Sequence, residues 1–188
     1  MPFGRKPGKT HAFLDEARLY AYAVKALGRR MRTEAELRRL MKTRAEPDAS
    51  GDAAIGAVLM RLKEHGYLND ASFAEAYARL RQENDKLGVR RVRQDLQQKG
   101  VGKELIAETL EARYGQTDEE ALAREHLERK RLRKPETPQE TARVMRRLVA
   151  AGFSTGTIYK ILRQWDVPDE ALAGLENLDE VRGGEEAT

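Results

Sequence analysis

The sequence predicts an all-α protein of three tandem three-helix, helix-turn-helix-like repeats set in an elongated array. Three observations carry that expectation. Apolar residues recur at three- and four-residue spacing along most of the chain, in runs bounded by capping residues, and no stretch alternates as a strand would. Val92, Leu96, Gly100, Val101, Ile106 and Leu110 align without a gap on Val144, Leu148, Gly152, Phe153, Ile158 and Leu162, every pair 52 positions apart. A period of that size describes units whose neighbours complete their small cores. Finally, 188 residues that are 35% charged and only 6% aromatic suit a thin helical protein better than one thick core.

Residues 1–14 read as a basic flexible arm, with Arg5, Lys6 and Lys9 among glycines and prolines. Gly4 to Thr10 looks superficially like a phosphate-binding loop, but only three residues separate its glycines and no strand precedes it. The first repeat spans 15–66. Its first helix, 15–28, carries Tyr20, Val24 and Leu27 on one stripe and ends at Gly28. Thr33-x-x-Glu36 is a capping box for a second helix with Leu37, Leu40 and Met41 inward. A polar loop over 43–51 leads to a third, marked by Ile55, Val58, Leu59 and Leu62 and closed by Gly66.

The second repeat spans 67–115. Asn69 caps a helix over 70–85, Leu68 and Phe73 form a hydrophobic staple, and Phe73, Tyr77 and Leu80 mark the inner face. Gly88 permits a turn before a helix with Val89, Val92 and Leu96 inward. Gly100 stops it, with Val101 as the apolar residue that follows a glycine cap. A third helix runs from Lys103 to about Tyr114 on Ile106, Thr109, Leu110 and Arg113. The third repeat spans 116–165. Thr117-x-x-Glu120 opens a long basic helix through Arg133, and Thr137-Pro138-x-Glu140 opens the next, with Val144, Met145, Leu148 and Val149 inward. Gly152 ends it, and Ser154 caps a last helix with Ile158, Ile161, Leu162 and Trp165. Residues 166–188 form an acidic C-terminal tail.

Charge is segregated along the chain. Residues 166–188 hold eight acids against Arg182, a net of −7, so a whole-chain charge of +4 leaves +11 on residues 1–165. Such a body attracts polyanions, and the tail is placed to compete for the same surface. The absence of cysteine excludes disulfides, thiolate metal sites and a cysteine nucleophile, and no apolar run reaches a membrane span. A cytoplasmic monomer without membrane contact is expected.

Two basic strips stand out. Arg79, Arg81, Lys86, Arg90, Arg91 and Lys99 fall in the second repeat, and Lys130, Arg131, Arg133, Lys134, Arg143, Arg146 and Arg147 in the third. Arginine holds phosphate or carboxylate bidentately, so two strips on successive units could follow a polyanionic groove; each base taken singly is equally a solvated helix face. Arg93 sits at the edge of a buried stripe, placed to snorkel. Tyr67, Phe73, Tyr77 and Trp165 are expected in the core rather than stacked on bases. His11, His65 and His126 lack metal-ligand spacing, and His65 is placed to meet carbonyls at a helix end. Glu36, Glu120 and Glu140 are explained by capping, and no Ser/His/Asp arrangement can be assigned. The expectation is a non-catalytic protein with no cofactor and no metal.

Gly66-Tyr67-Leu68-Asn69-Asp70-x-x-Phe73-Ala74-x-x-Tyr77, then Arg81, Lys86-x-Gly88-x-x-Arg91-Val92 and Lys99-Gly100-Val101, resembles the motif of RecX proteins. Those are bacterial regulators of the RecA recombinase. Arg32-Thr33-x-x-Glu36-Leu37 is similar to that family's opening motif, and the likeness covers about residues 15–165. The resemblance implies a curved repeat array lying along the groove of the RecA filament on single-stranded DNA. It also implies inhibition of ATP hydrolysis, strand exchange and co-protease activity, and hence a part in regulating DNA repair and the SOS response. The partners so implied are the filament and single-stranded DNA, with double-stranded DNA a further candidate. Two alternatives remain open: a DNA-binding helix-turn-helix transcriptional regulator, and a helical adaptor for another acidic protein.

Overall fold

The structure is a computed structural model and describes residues 13–168. Most of the predicted arm and the tail from residue 169 lie outside the described residues. Every regular element among the described residues is an α-helix, nine in all. The chain divides into two compact units, whose described parts are residues 13–73 with the turn 99–101, and residues 74–98 with 102–168.

The first unit holds α1 (Glu16–Leu27), α2 (Glu34–Lys42), α3 (Ala49–Glu64) and the start of α4 (Asp70–Glu83). Leu19, Ala23, Leu37, Met41, Ile55, Val58, Leu59, Leu62 and Leu68 form its core. On α1 the buried stripe is Leu19, Ala23 and Ala26, while the predicted Tyr20, Val24 and Leu27 flank it half-buried. Small alanines pass a hydropathy pattern unnoticed, yet they let α1 approach its neighbours. Leu14, counted in the predicted arm, lies against this core and donates its N–H to the Arg44 carbonyl (2.8 Å). α3 begins inside the predicted polar loop because Asp48 accepts from the Ser50 and Gly51 amides, both at 3.0 Å.

The start of α2 is closed by residues far apart in sequence. Thr33 Oγ1 accepts from the Glu36 amide (3.1 Å) and donates to the Lys99 carbonyl (2.6 Å), and Asp70 Oδ1 accepts from the Glu34 amide (2.9 Å). The Glu36 carboxylate meets Lys99 Nζ at 3.1 Å, and this ion pair takes the place of the reciprocal half of the predicted capping box. Burial raises the Asp70 carboxyl above its ordinary pKa. Gly100 has φ +79, and a Cβ there would stand 2.4 Å from Ala35 Cβ.

The second unit holds the rest of α4, then α5 (Val89–Gln98), α6 (Lys103–Tyr114), α7 (Glu119–Arg129), α8 (Pro138–Ala150) and α9 (Thr155–Gln164). The pairs Val92/Val144, Leu96/Leu148, Ile106/Ile158 and Leu110/Leu162, all 52 apart, are buried as the internal repeat requires. On α4 the buried positions are Phe73, Ala74 and Ala78, whereas the predicted Leu80 is 49% exposed. Asp118, not Thr117, caps α7, accepting from the Glu120 and Ala121 amides at 2.9 and 3.1 Å. That helix stops at Arg129, short of the predicted Arg133. Arg131 (φ +54) donates to the Glu128 carbonyl and Leu132 to the Leu127 carbonyl, both at 2.9 Å. This is a Schellman ending, and Leu132 turns back as its apolar contact onto a core that includes Leu122, Leu127, Leu148, Phe153 and Ile158. A run of good helix formers hid a stop that lacks glycine. Asp166 (φ +54) ends α9 in the same way, leaving Val167 buried in the core rather than in the tail.

One close approach ties the second repeat to the third. The Gly88 amide, just before α5, donates to the Ala151 carbonyl (2.9 Å), just after α8. A Cβ on Gly88 would stand 2.4 Å from the Gly152 carbonyl oxygen, and a Cβ on Gly152 (φ +90) would stand 2.2 Å from the Arg91 amide nitrogen. Gly152→Ala therefore meets both left-handed strain and a backbone clash, and is expected to lose about 2 kcal/mol or more of stability. Gly56→Ala, inside α3 with nothing within 4 Å of the added Cβ, is expected to gain about 0.5–1 kcal/mol. Chemical denaturation of both variants checks the pair; a Gly152→Ala protein as stable as the parent contradicts the junction.

His126 is buried with its ring edge-on to Phe153 (centroids 5.7 Å apart), and Nδ1 donates to the Asp85 carbonyl (3.2 Å). Burial first, then the neighbouring Lys130 and Arg129, hold its pKa below the ordinary imidazole value, against the pull of that hydrogen bond. The unfolded chain thus takes up the proton more readily. Stability is full above the ordinary value of about 6.5 and falls as the pH drops toward the lower folded value. Between about pH 7.5 and 5.5 the melting temperature is expected to fall more for the parent than for His126→Asn; parallel slopes contradict this.

Candidate functional site

α5 is amphipathic in a way that divides its charge. Val92, Asp95 and Leu96 are buried, and Arg90, Arg91, Arg93, Gln94, Gln97 and Gln98 are exposed. α8 turns Thr141, Val144, Met145 and Leu148 inward, which leaves Arg143, Arg146 and Arg147 exposed at i, i+3 and i+4 on one arc. These three make no ion pair among the described residues. Because Gly152 follows α8 and seats against the Arg91 backbone at the start of α5, the two basic helices meet end to end. Lys130, Arg131, Arg133 and Lys134 are exposed in the segment joining α7 to α8; Lys134 Nζ pairs with Asp166 at 3.1 Å. An anion meeting α8 would find exposed guanidinium forks on one helical arc.

The other predicted bases divide differently. Arg79 and Arg90 are exposed. Arg81 donates to Asp85 (2.6 Å) and lies over the Tyr77 ring at 4.8 Å, and Lys86, itself at φ +54, pairs with Glu125 at 2.5 Å. Arg91 Nε sits 3.0 Å from Asp95. Lys99 belongs to the first unit, paired with Glu36 and 5.7 Å from the Phe73 ring centre. Asp85 also receives Arg129 at 3.5 Å. Several of these cations therefore have internal partners, and an exposed pair of this kind contributes only about 0–1 kcal/mol.

Three features escape the sequence reading. Asp95 sits on the inward arc of α5 between Tyr77, whose hydroxyl donates to it at 3.0 Å, and Arg91. Burial raises the Tyr77 phenol above its usual pKa. The available signal was the helical spacing of Asp95 from Val92 on the buried side. Arg93 is exposed instead of tucked along a buried stripe. In the first unit α2 exposes Arg39 and Lys42, and half-buried Arg38 pairs with Glu34 at 3.2 Å, so the second helix of each repeat carries bases. Among the aromatics Phe73 is buried, Tyr77 and Trp165 are half-buried, and Tyr67, expected in the core, is 57% exposed. α6 and α9 expose Lys103, Glu104, Glu108, Glu111 and Lys160, a mixed face. Among the described residues no cluster of His, Cys, Asp or Glu could hold a metal ion, and no helix is long and apolar enough to cross a membrane.

Comparison with known proteins agrees with this architecture. A family model described as "RecX, second three-helix domain" matches residues 69–110. The regulatory protein RecX of Deinococcus radiodurans is 39% identical over 178 residues, covering 90% of this chain and 79% of that one. The regulatory protein RecX of Bacillus velezensis is 31% identical over 165 residues, covering 87% of this chain and 61% of the relative. A crystal structure of regulatory protein RecX superposes with a TM-score of 0.63 at 23% identity, covering 79% of this chain and 71% of that chain, and so shares the fold. On the sequence match to the Deinococcus protein, the chain belongs to the RecX family of regulatory proteins.

Proposed function

We propose that this protein is a negative modulator of the RecA recombinase, acting by occupation of the RecA filament on single-stranded DNA. The observation that carries the reading is the pair of basic helices α5 and α8, joined end to end through Gly152 and Arg91 and offering Arg143, Arg146 and Arg147 to a polyanion. Occupation of this kind suppresses ATP hydrolysis, strand exchange and co-protease activity without any catalytic step by the modulator itself. Its setting would be the regulation of DNA repair and the SOS response. The acids exposed on α6 (Glu104, Glu108 and Glu111) disfavour sequence-specific readout of a duplex by that helix.

Titrating the protein into recombinase, single-stranded DNA and ATP is expected to stop phosphate release well below one molecule per recombinase protomer. Inhibition only at amounts that coat the DNA would contradict filament occupation and favour simple competition.

The triple variant Arg143→Gln/Arg146→Gln/Arg147→Gln is expected to keep its melting temperature within a few degrees of the parent, because those side chains are exposed and make no ion pair among the described residues. If each meets a phosphate, the dependence of log affinity on log salt flattens by about 0.7 per lost contact on single strands. Unchanged binding and unchanged inhibition would remove α8 from the interface.

A further inference from the structure

Among the motif residues from Gly66 to Arg81, Tyr67 stands out for its open ring. Gly66 supplies the left-handed turn (φ +71), Leu68 and Phe73 are buried, Asn69 accepts from the Ser72 amide, Asp70 closes α2, and Tyr77 holds Asp95. Tyr67 alone turns a large ring to solvent, 57% exposed. Its position is nevertheless fixed. The Tyr67 amide donates to the Leu62 carbonyl (2.9 Å), which locks the backbone, and its ring stands edge-on to His65, centroids 6.3 Å apart. His65 is held in turn, with the Tyr20 hydroxyl 2.8 Å from Nδ1 and the Tyr20 ring edge-on at 6.1 Å. The Arg61 guanidinium lies 4.4 Å from the centre of the Tyr20 ring and is exposed.

We infer that Tyr67 is a stacking platform for a base of single-stranded nucleic acid, with His65 and Tyr20 as its brace and Arg61 as the cation for the adjoining phosphate. This site belongs to the first unit, and its role does not depend on that of α5 and α8. An open, braced aromatic face loses little side-chain freedom on stacking and accepts any base. Arg61 on the same cluster suits the phosphate that accompanies each base. A folded peptide or apolar helix would want a groove. A cavity of this unit lies elsewhere, between Lys42, Glu46, Pro47, Asp48, Asp52 and Ile55, and three carboxylates line it.

The test uses the full chain without recombinase and two fluorescent oligonucleotides of about 15 units, long enough for such a site, one of thymidylate and one abasic with the same phosphates. The parent is expected to bind thymidylate more tightly than the abasic chain. Tyr67→Ala is expected to weaken thymidylate binding about tenfold and abasic binding little, and Tyr67→Phe to keep the parent's affinity, since the ring and not the hydroxyl stacks. Tyr67→Leu, apolar but not aromatic, separates stacking from mere burial: it behaves as Tyr67→Ala if the inference holds. Equal binding of thymidylate by parent and Tyr67→Ala, or equal losses on both oligonucleotides, overturns it. So does a Tyr67→Ala variant that binds thymidylate normally but no longer binds recombinase, which would make the ring a protein contact. Thermal melts of each variant show that it is folded, as expected for a largely exposed side chain.

Discussion

The contact between Gly88 and Gly152 is the constraint on which the second unit rests. Two backbones approach so closely that neither residue can carry a Cβ, and the hydrogen bond from the Gly88 amide to the Ala151 carbonyl fixes the direction of approach. The result is that the end of α8 and the start of α5 face each other. A related device closes the start of α2 in the first unit. There the Lys99 carbonyl accepts from Thr33, and Gly100 clears Ala35. Lys99 and Ala151 are 52 positions apart, as are Gly100 and Gly152, so the internal repeat reproduces the junction as well as the core. In arrays of this kind stability resides largely in such neighbour terms.

Charge is the second organising quantity. Arg81, Lys86, Arg91, Lys99 and Arg129 each face a carboxylate. Asp85 and Asp95 gather three of these contacts, and the Tyr77 hydroxyl besides, around α4, α5 and α7. Cations so engaged cannot be spent on a partner without a loss at home. The exposed arginines of α8 make no such ion pair among the described residues, and their three positions share one helical arc. The separation of structural from available cations gives the proposed interface its direction: a polyanion reaches α8 without dismantling the fold.

Much of this was legible in the residues. Helical spacing and caps located every helix, and the 52-residue register predicted which positions would be buried, because periodicity and packing answer to the same geometry. The errors have physical causes. Ala23, Ala74 and Ala78 carry the close contacts that larger residues were expected to make, so Tyr20, Val24 and Leu27 shift to the flank and Leu80 to the surface. The end of α7 was invisible because Arg131 adopts the left-handed conformation that glycine usually supplies. Counting bases located two strips, but tertiary pairing decides which bases are available, and a single chain's sequence contains no distances. The partners of Asp95 and Asp85 became legible only when α4, α5 and α7 were placed together.

Arginine-selective footprinting of the full chain, free and bound to recombinase on single-stranded DNA, tests the central claim most directly. The account predicts that Arg143, Arg146 and Arg147 lose reactivity in the bound state, while Arg18, exposed on α1 beside Asp15, reacts at its free rate. Unaltered reactivity along α8, with protection confined to arginines on other faces, would contradict it.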